Sequence, residues 1–209
     1  MSRDTVSEIC DTHLPVTIDR EEVSFHAFRK VVTYDYTEDD SGLSARREII
    51  KAHHAVAVVV YDPALDKLVM IRQFRLGAQM GTGQGMTVEI VAGLIDPGES
   101  PRTTALRELT EETGLVANRM EPMCRFLTTP GMTDEVLHLF YAEADASALA
   151  SKAGAAEESE ATFPFLLTLE EAMHAVDQNH VYNGIVMLAL MWFQRHRNRY
   201  GKSDQQPES

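Results

Sequence analysis

Cysteine is nearly missing from this chain: its 209 residues include two, Cys10 and Cys124, and neither has a second cysteine at CxxC spacing. Two such residues exclude a disulfide framework, so a reducing cytoplasm is the expected compartment. Long apolar runs are missing too. The longest, Ile185 to Phe193, falls far short of the ~20 residues that span a bilayer, which excludes a membrane-spanning helix. The opening MSRDTVSEICDTHLP has no apolar segment of the kind a signal peptide carries. Positive charge is scarce: 19 Lys plus Arg stand against 32 Asp plus Glu, a formal net charge of −13. Such a chain repels phosphate backbones, which excludes general nucleic-acid binding. A local anion site remains open where metal ions or a few arginines reverse the sign. No internal repeat is visible.

What remains is ordinary globular material, 44% hydrophobic and 24% charged, in a length that suits one domain with a small appendage. Residues 1–12 and 201–209 are polar and read as flexible ends. Residues 13–52 read as an antiparallel β appendage, with 23–36 as a strand, TEDDSGLS as a turn and 45–51 as the returning partner. Residues 53–200 read as the main domain. There HAVAVVVYD and KLVMIRQFR form a hairpin across DPALD, MTVEIVAG is one strand, and 115–128, VLHLFYAEA and ATFPFLLT are further strands. One helix is well marked over Pro101–Thr113: Ser100 suits its N-cap, Pro101 its first turn and Gly114 its C-terminal stop. Thr168-x-x-Glu171 is a capping-box pattern opening a short helix. A last helix over about 183–197 is apolar nearly all round at first and is expected to be packed on several sides. Strands with a few interleaved helices and no regular βαβ alternation read as α+β.

The chemistry lies in GLIDPGESPRTTALRELTEETGL, residues 93–115. Glu108 and Glu112 stand four apart on one helix face and Glu111 three from Glu108. Like charges so placed cost the helix a few tenths of a kcal/mol, roughly, and a hard divalent cation would compensate. Ala105, Leu106 and Leu109 form the opposite, sheet-packing face. The bland reading is a solvated acidic helix. The spacing argues against it: Gly93, five residues, Glu99, seven residues, Arg107-Glu108, an aliphatic, one residue, Glu111-Glu112, one residue, Gly114 and an aliphatic. This is the full signature of the Nudix hydrolases, which the chain resembles.

The resemblance extends to the ADP-ribose pyrophosphatases of that superfamily over roughly residues 23–197. It rests on EIVAGLIDPGE leading into the box, TTPGMTDE with Pro130 sixteen residues after Gly114, Arg46-Arg47-Glu48-Ile49, Arg72-Gln73-Phe74-Arg75, and Glu158-Ser159-Glu160. It implies a Nudix fold, an α/β/α sandwich around a mixed sheet. It also implies two or three Mg²⁺ ions per site, which Mn²⁺ can replace, held by Glu108, Glu111, Glu112 and the main-chain carbonyl of Ala92. Gly93, Glu99, Arg107 and Gly114 then hold the geometry of the box. A general base is expected at Glu158, with Glu160 as a further metal contact; a solvated acidic loop is the plain alternative there. Arg75, Leu94, Thr129, Pro130, Gly131 and Glu135 are expected around the substrate. Phe25, Arg46 and Arg47 are expected to serve it from the appendage, which crosses to the partner in dimers of this kind. The implied reaction is hydrolysis of ADP-ribose to AMP and ribose 5-phosphate by a homodimer. Two alternatives stand: another nucleoside-diphosphate sugar such as GDP-mannose, or a module that binds ADP-ribose without cleaving it. His53-His54, Cys124, Met187, Met191 and Trp192 read as structural.

Overall fold

The computed structural model describes residues 9–151, 153 and 161–200. They divide into two compact units, one of residues up to 52 together with Thr129–Glu135, the other of 53–128 and the chain from 136 on.

The first unit is a three-stranded antiparallel meander, β1 (Val16–His26), β2 (Lys30–Glu38) and β3 (Ser44–Lys51), in that order. The expectation of one strand over 23–36 is corrected: the chain reverses at Ala27–Arg29, where the Ala27 N–H bonds the Arg29 carbonyl. No glycine or proline marks that turn. β1 is exposed along its whole length, so burial imposes no alternation that would show where it starts. Residues 129–135 fasten to β3. The Ile50 N–H donates to the Met132 carbonyl at 2.9 Å, Ala52 N–H donates to Asp134 at 2.9 Å, and Lys51 pairs with Asp134.

The second unit is built on one sheet of seven strands. Its main path runs β10-β5-β4-β9-β8, where β4 is Ala55–Asp62, β5 Lys67–Phe74, β8 Ala117–Leu127, β9 Val136–Ala144 and β10 Thr162–Leu167. β4 and β9 are parallel and every other pair is antiparallel, so the sheet is mixed. AVAVVVYD is buried at all eight positions, as a central strand covered on both faces must be. Its alternate residues feed two cores. Ala57 and Val59 face α3 (Leu169–Asp177) and α4 (Gly184–Tyr200). Val56, Val58 and Val60 face α2 (Pro101–Thr113) through Ala105 and Leu109. The result is the helix–sheet–helix sandwich that the resemblance implies.

MTVEIVAG departs from expectation. It is two strands, β6 (Met86–Glu89) on β5 and β7 (Val91–Leu94) on β4, divided at Ile90. A short helix α1 (Leu76–Thr82) is also present; its two glycines and lack of any buried residue hid it from the pattern. Leu106, assigned to the sheet face of α2, is 38% exposed and lies off it.

The helix ends follow the sequence closely. Ser100 accepts the Thr103 N–H, Gly114 takes the left-handed conformation, and Thr168 and Glu171 close both halves of a capping box. The first turns of α4 are packed on several sides, with Ile185, Met187 and Leu188 partly buried around Val186, Ala189 and Leu190, while Met191 is exposed.

Candidate active site

Strand β7 ends at Leu94, and the chain turns back through Gly98, whose φ of +91° favours glycine. Helix α2 then returns across the sheet. It meets the strand most closely at Gly93, where an added Cβ would fall within the Glu108 carboxyl group and 2.6 Å from its Cγ. Only glycine lets that carboxylate lie on the strand.

Arg107 ties the surrounding pieces together. Its Nη1 donates to Glu108 at 2.8 Å and to Glu111 at 3.0 Å. Its Nη2 donates to Glu99 at 3.3 Å and to the Leu94 carbonyl at 3.4 Å. Burial alone would ease a proton off this guanidinium, but Glu99, Glu108 and Glu111 outweigh burial and hold it charged. Glu99 also accepts the Thr104 hydroxyl at 2.8 Å; that bond first, and Arg107 second, keep its carboxyl below the usual range. Strand end, loop and two helical turns thus converge on one cation.

Glu112 is different. It is 7% exposed and accepts the Ala92 N–H at 3.0 Å. Burial pushes its pKa up to about 8. Glu108 and Glu89 push the same way, and the Ala92 N–H and Arg75 offset this only in part. A buried carboxylate in that condition gains most from a nearby cation.

The box residues Ala92, Gly93, Leu94, Glu99, Arg107, Glu108, Glu111 and Glu112 are therefore brought together, and Gly114 ends the helix at φ +75°. Among the described residues no three His, Cys, Asp or Glu side chains gather around one metal position. Glu108 and Glu111 are turned to Arg107. The donors still suit a hard cation: a buried carboxylate with too little positive charge around it, a second carboxylate one helical turn away, and an adjoining main chain.

Arg75 lies on this unit too, but a partner absent from the sequence reading holds it. Its Nε and Nη2 donate side-on to both oxygens of Glu89, at 3.1 and 3.0 Å, and the Thr87 hydroxyl donates to Glu89 at 2.7 Å. Glu89 is 5% exposed. The available signal was a lone carboxylate inside the apolar run MTVEIVAG.

The remaining expected substrate residues belong to the first unit. Arg46 is committed side-on to Asp35 at 2.6 and 2.8 Å, and Arg47 donates to the Arg46 carbonyl. Phe25 is exposed on β1. The Thr129 carbonyl accepts the Met132 and Thr133 N–H groups, forming the turn that carries Pro130 and Gly131, and the Glu135 N–H caps on the Thr133 hydroxyl. Glu158 and Glu160 lie outside the described residues. His54 has a structural partner: its Nδ1 accepts the Val136 N–H at 3.2 Å.

Comparison with known proteins gives three kinds of match. The NUDIX domain family model matches residues 51–185. An ADP-ribose pyrophosphatase of Escherichia coli (strain K12) is 35% identical over 151 residues, 72% of each chain. A GDP-mannose pyrophosphatase of Cronobacter sakazakii is 33% identical over 165 residues, 78% of this chain and 85% of that one. Among solved structures, an ADP compounds hydrolase superposes with a TM-score of 0.71 at 21% identity, covering 92% of this chain and all of the other, a likeness of fold.

Proposed function

This chain belongs to the NUDIX family, and from that premise we propose that it hydrolyses the diphosphate of ADP-ribose, releasing AMP and ribose 5-phosphate. One observation carries the reading above all: the buried Glu112 and the Gly93-seated Glu108 lie on one helix that Arg107 locks to the strand end. Glu108 and Glu112, with the Ala92 carbonyl and Glu111, are the groups that would hold Mg²⁺, with Glu160 as a further contact. When bound, Mg²⁺ or Mn²⁺ supplies neutralising charge on the diphosphate and an acidified water. The protein's own part is positioning. Arg107 and Glu99 fix loop against helix, so the carboxylates do not have to reorganise as charge develops. Arg75 presents a guanidinium to the diphosphate, which matches two phosphate oxygens at once. Glu158 takes the proton of the attacking water.

The sugar beyond the diphosphate is the finer question. The 33% identity to a GDP-mannose pyrophosphatase favours a second reading, the same chemistry on that substrate. A homodimer is part of the proposal. Val16, Ile18, Val23 and Phe25 leave β1 with an exposed apolar set that a second copy would cover. The decisive experiment is phosphatase-coupled product release from ADP-ribose, GDP-mannose, UDP-glucose, NADH and a diadenosine polyphosphate in excess Mg²⁺. Fast, chelator-sensitive cleavage of ADP-ribose is the expected result. Preference for GDP-mannose selects the second reading. Tight binding of ADP-ribose without turnover would replace catalysis by sensing.

A further inference from the structure

The face of the sheet beneath α2 is apolar except at one end. Val56, Val58, Val69 and Val91 pack there against Ala105 and Leu109. Beyond them the lining becomes polar. Gln73 follows Val69 on the same side of β5, by alternation, and is 1% exposed. Gln73 pairs with Thr87 across to β6 and with Thr162 across to β10. Glu89 shares the face of Thr87, two residues along. Helix α2 is anchored over this patch, because the Thr162 hydroxyl donates to the Glu112 carbonyl at 3.1 Å. Arg75 continues the β5 ladder, its N–H donating to the Gly85 carbonyl at 2.7 Å.

Glu89 is costly to bury. An almost fully enclosed carboxylate is kept only where its partners satisfy it. Here it takes both side-on donors of Arg75 and the Thr87 hydroxyl; the Glu89 backbone is fixed in the β5–β6 ladder, and the Arg75 N–H bonds the Gly85 carbonyl just beyond that ladder's end. The arginine side chain is 39% exposed and the glutamate side chain 7%, so the pair is rooted on the Glu89 side and reaches outward on the Arg75 side. A planar guanidinium gripped through Nε and Nη2 has its orientation set. The adjoining Nη1–Nη2 edge, which shares Nη2, is then turned to a different direction from the gripped one, and that edge too has the fork geometry of two phosphate oxygens. Placed beside the Glu112 end of α2, the carboxylate has another use.

We infer that Glu89 is a positioning residue: it never touches substrate, and it fixes the Arg75 guanidinium in the one orientation that receives the diphosphate. This rests on the proposed diphosphate hydrolysis. It makes Glu89 and Arg75 a single unit in binding terms, while the Mg²⁺-holding groups Glu108 and Glu112 belong to another.

The test is a double-mutant cycle on the full chain with Glu89→Gln, Arg75→Ala and the pair together. kcat and KM for ADP-ribose, the Mg²⁺ concentration giving half-maximal rate, and the melting temperature are measured for each. Glu89→Gln should raise KM tenfold or more, a larger factor than any accompanying shift in the Mg²⁺ midpoint. In the Arg75→Ala background the same change should have almost no further effect, because what it positions is gone. Glu89→Asp, which keeps the charge, should recover part of the loss and serves if Glu89→Gln folds poorly. Losses that multiply in the double variant, or a shift mainly in the Mg²⁺ midpoint, would overturn the assignment while leaving the hydrolase reading intact. A folded wild type that cleaves no substrate of the panel would overturn both.

Discussion

Gly93 and Glu112 respond differently to change. At Gly93 the obstacle to a side chain is the mobile end of Glu108. Gly93→Ala should therefore keep most of its melting temperature, while Glu108 swings off the strand and kcat falls more than about tenfold. Equal loss of melting temperature and rate would sink that account. Glu112→Gln should lower kcat by about 100-fold or more at saturating Mg²⁺, since the amide keeps the shape and loses the charge. Glu112 also predicts a pH dependence. Its folded pKa of about 8 is raised by burial above its value in the unfolded chain. The neutral form's stabilising contribution is complete below the unfolded pKa and is lost as pH rises towards about 8. Metal-free protein should thus melt progressively lower across that window, and saturating Mg²⁺ should flatten the fall. A metal-free profile that rises instead would mean the carboxyl is not buried as described. The box glutamates were legible in the sequence because their spacing is helical and local. Glu89 was not, because its meaning depends on Arg75 and Thr87, which only the sheet register brings to it.

At the scale of elements, capping chemistry was the most readable feature. Ser100, Pro101 and Gly114 bound α2, and Thr168 with Glu171 opens α3, all where the sequence places them. These signals need no tertiary context. What was misread needed it: β1 and β2 were merged because their turn has no glycine or proline, and β6 and β7 were merged because the break at Ile90 reflects a change of partner strand. The caps give a matched pair of predictions. Thr168→Ala removes the hydroxyl half of a box remote from the acidic helix, leaving the backbone N–H of residue 168 on Glu171, and should cost about 1 kcal/mol with kcat unchanged. Ser100→Ala should cost a similar ~1 kcal/mol and also lower kcat, because α2 carries the carboxylates. Thermal melts and initial rates on the two variants separate them; equal effects on rate would disconnect the helix start from the site.

Across the whole molecule the charge of −13 opposes an anionic substrate. Screening should therefore help: KM for ADP-ribose is expected to fall as NaCl rises from roughly 20 to 200 mM at constant saturating Mg²⁺. A rising KM would mean that a local cationic field around Arg75 dominates. The order of strands has a different consequence, in time. β4 has β5 close behind it, but its parallel neighbour is β9: Ala55 pairs with Leu137, 82 positions later. During synthesis the most hydrophobic strand of the chain is made early and waits for the segment that will cover one of its edges. At an elongation rate of about 5–20 residues per second that wait is several seconds. Chains interrupted before residue 136 would present β4's unpaired edge and should aggregate, whereas the long-range closure makes refolding of the full chain slow.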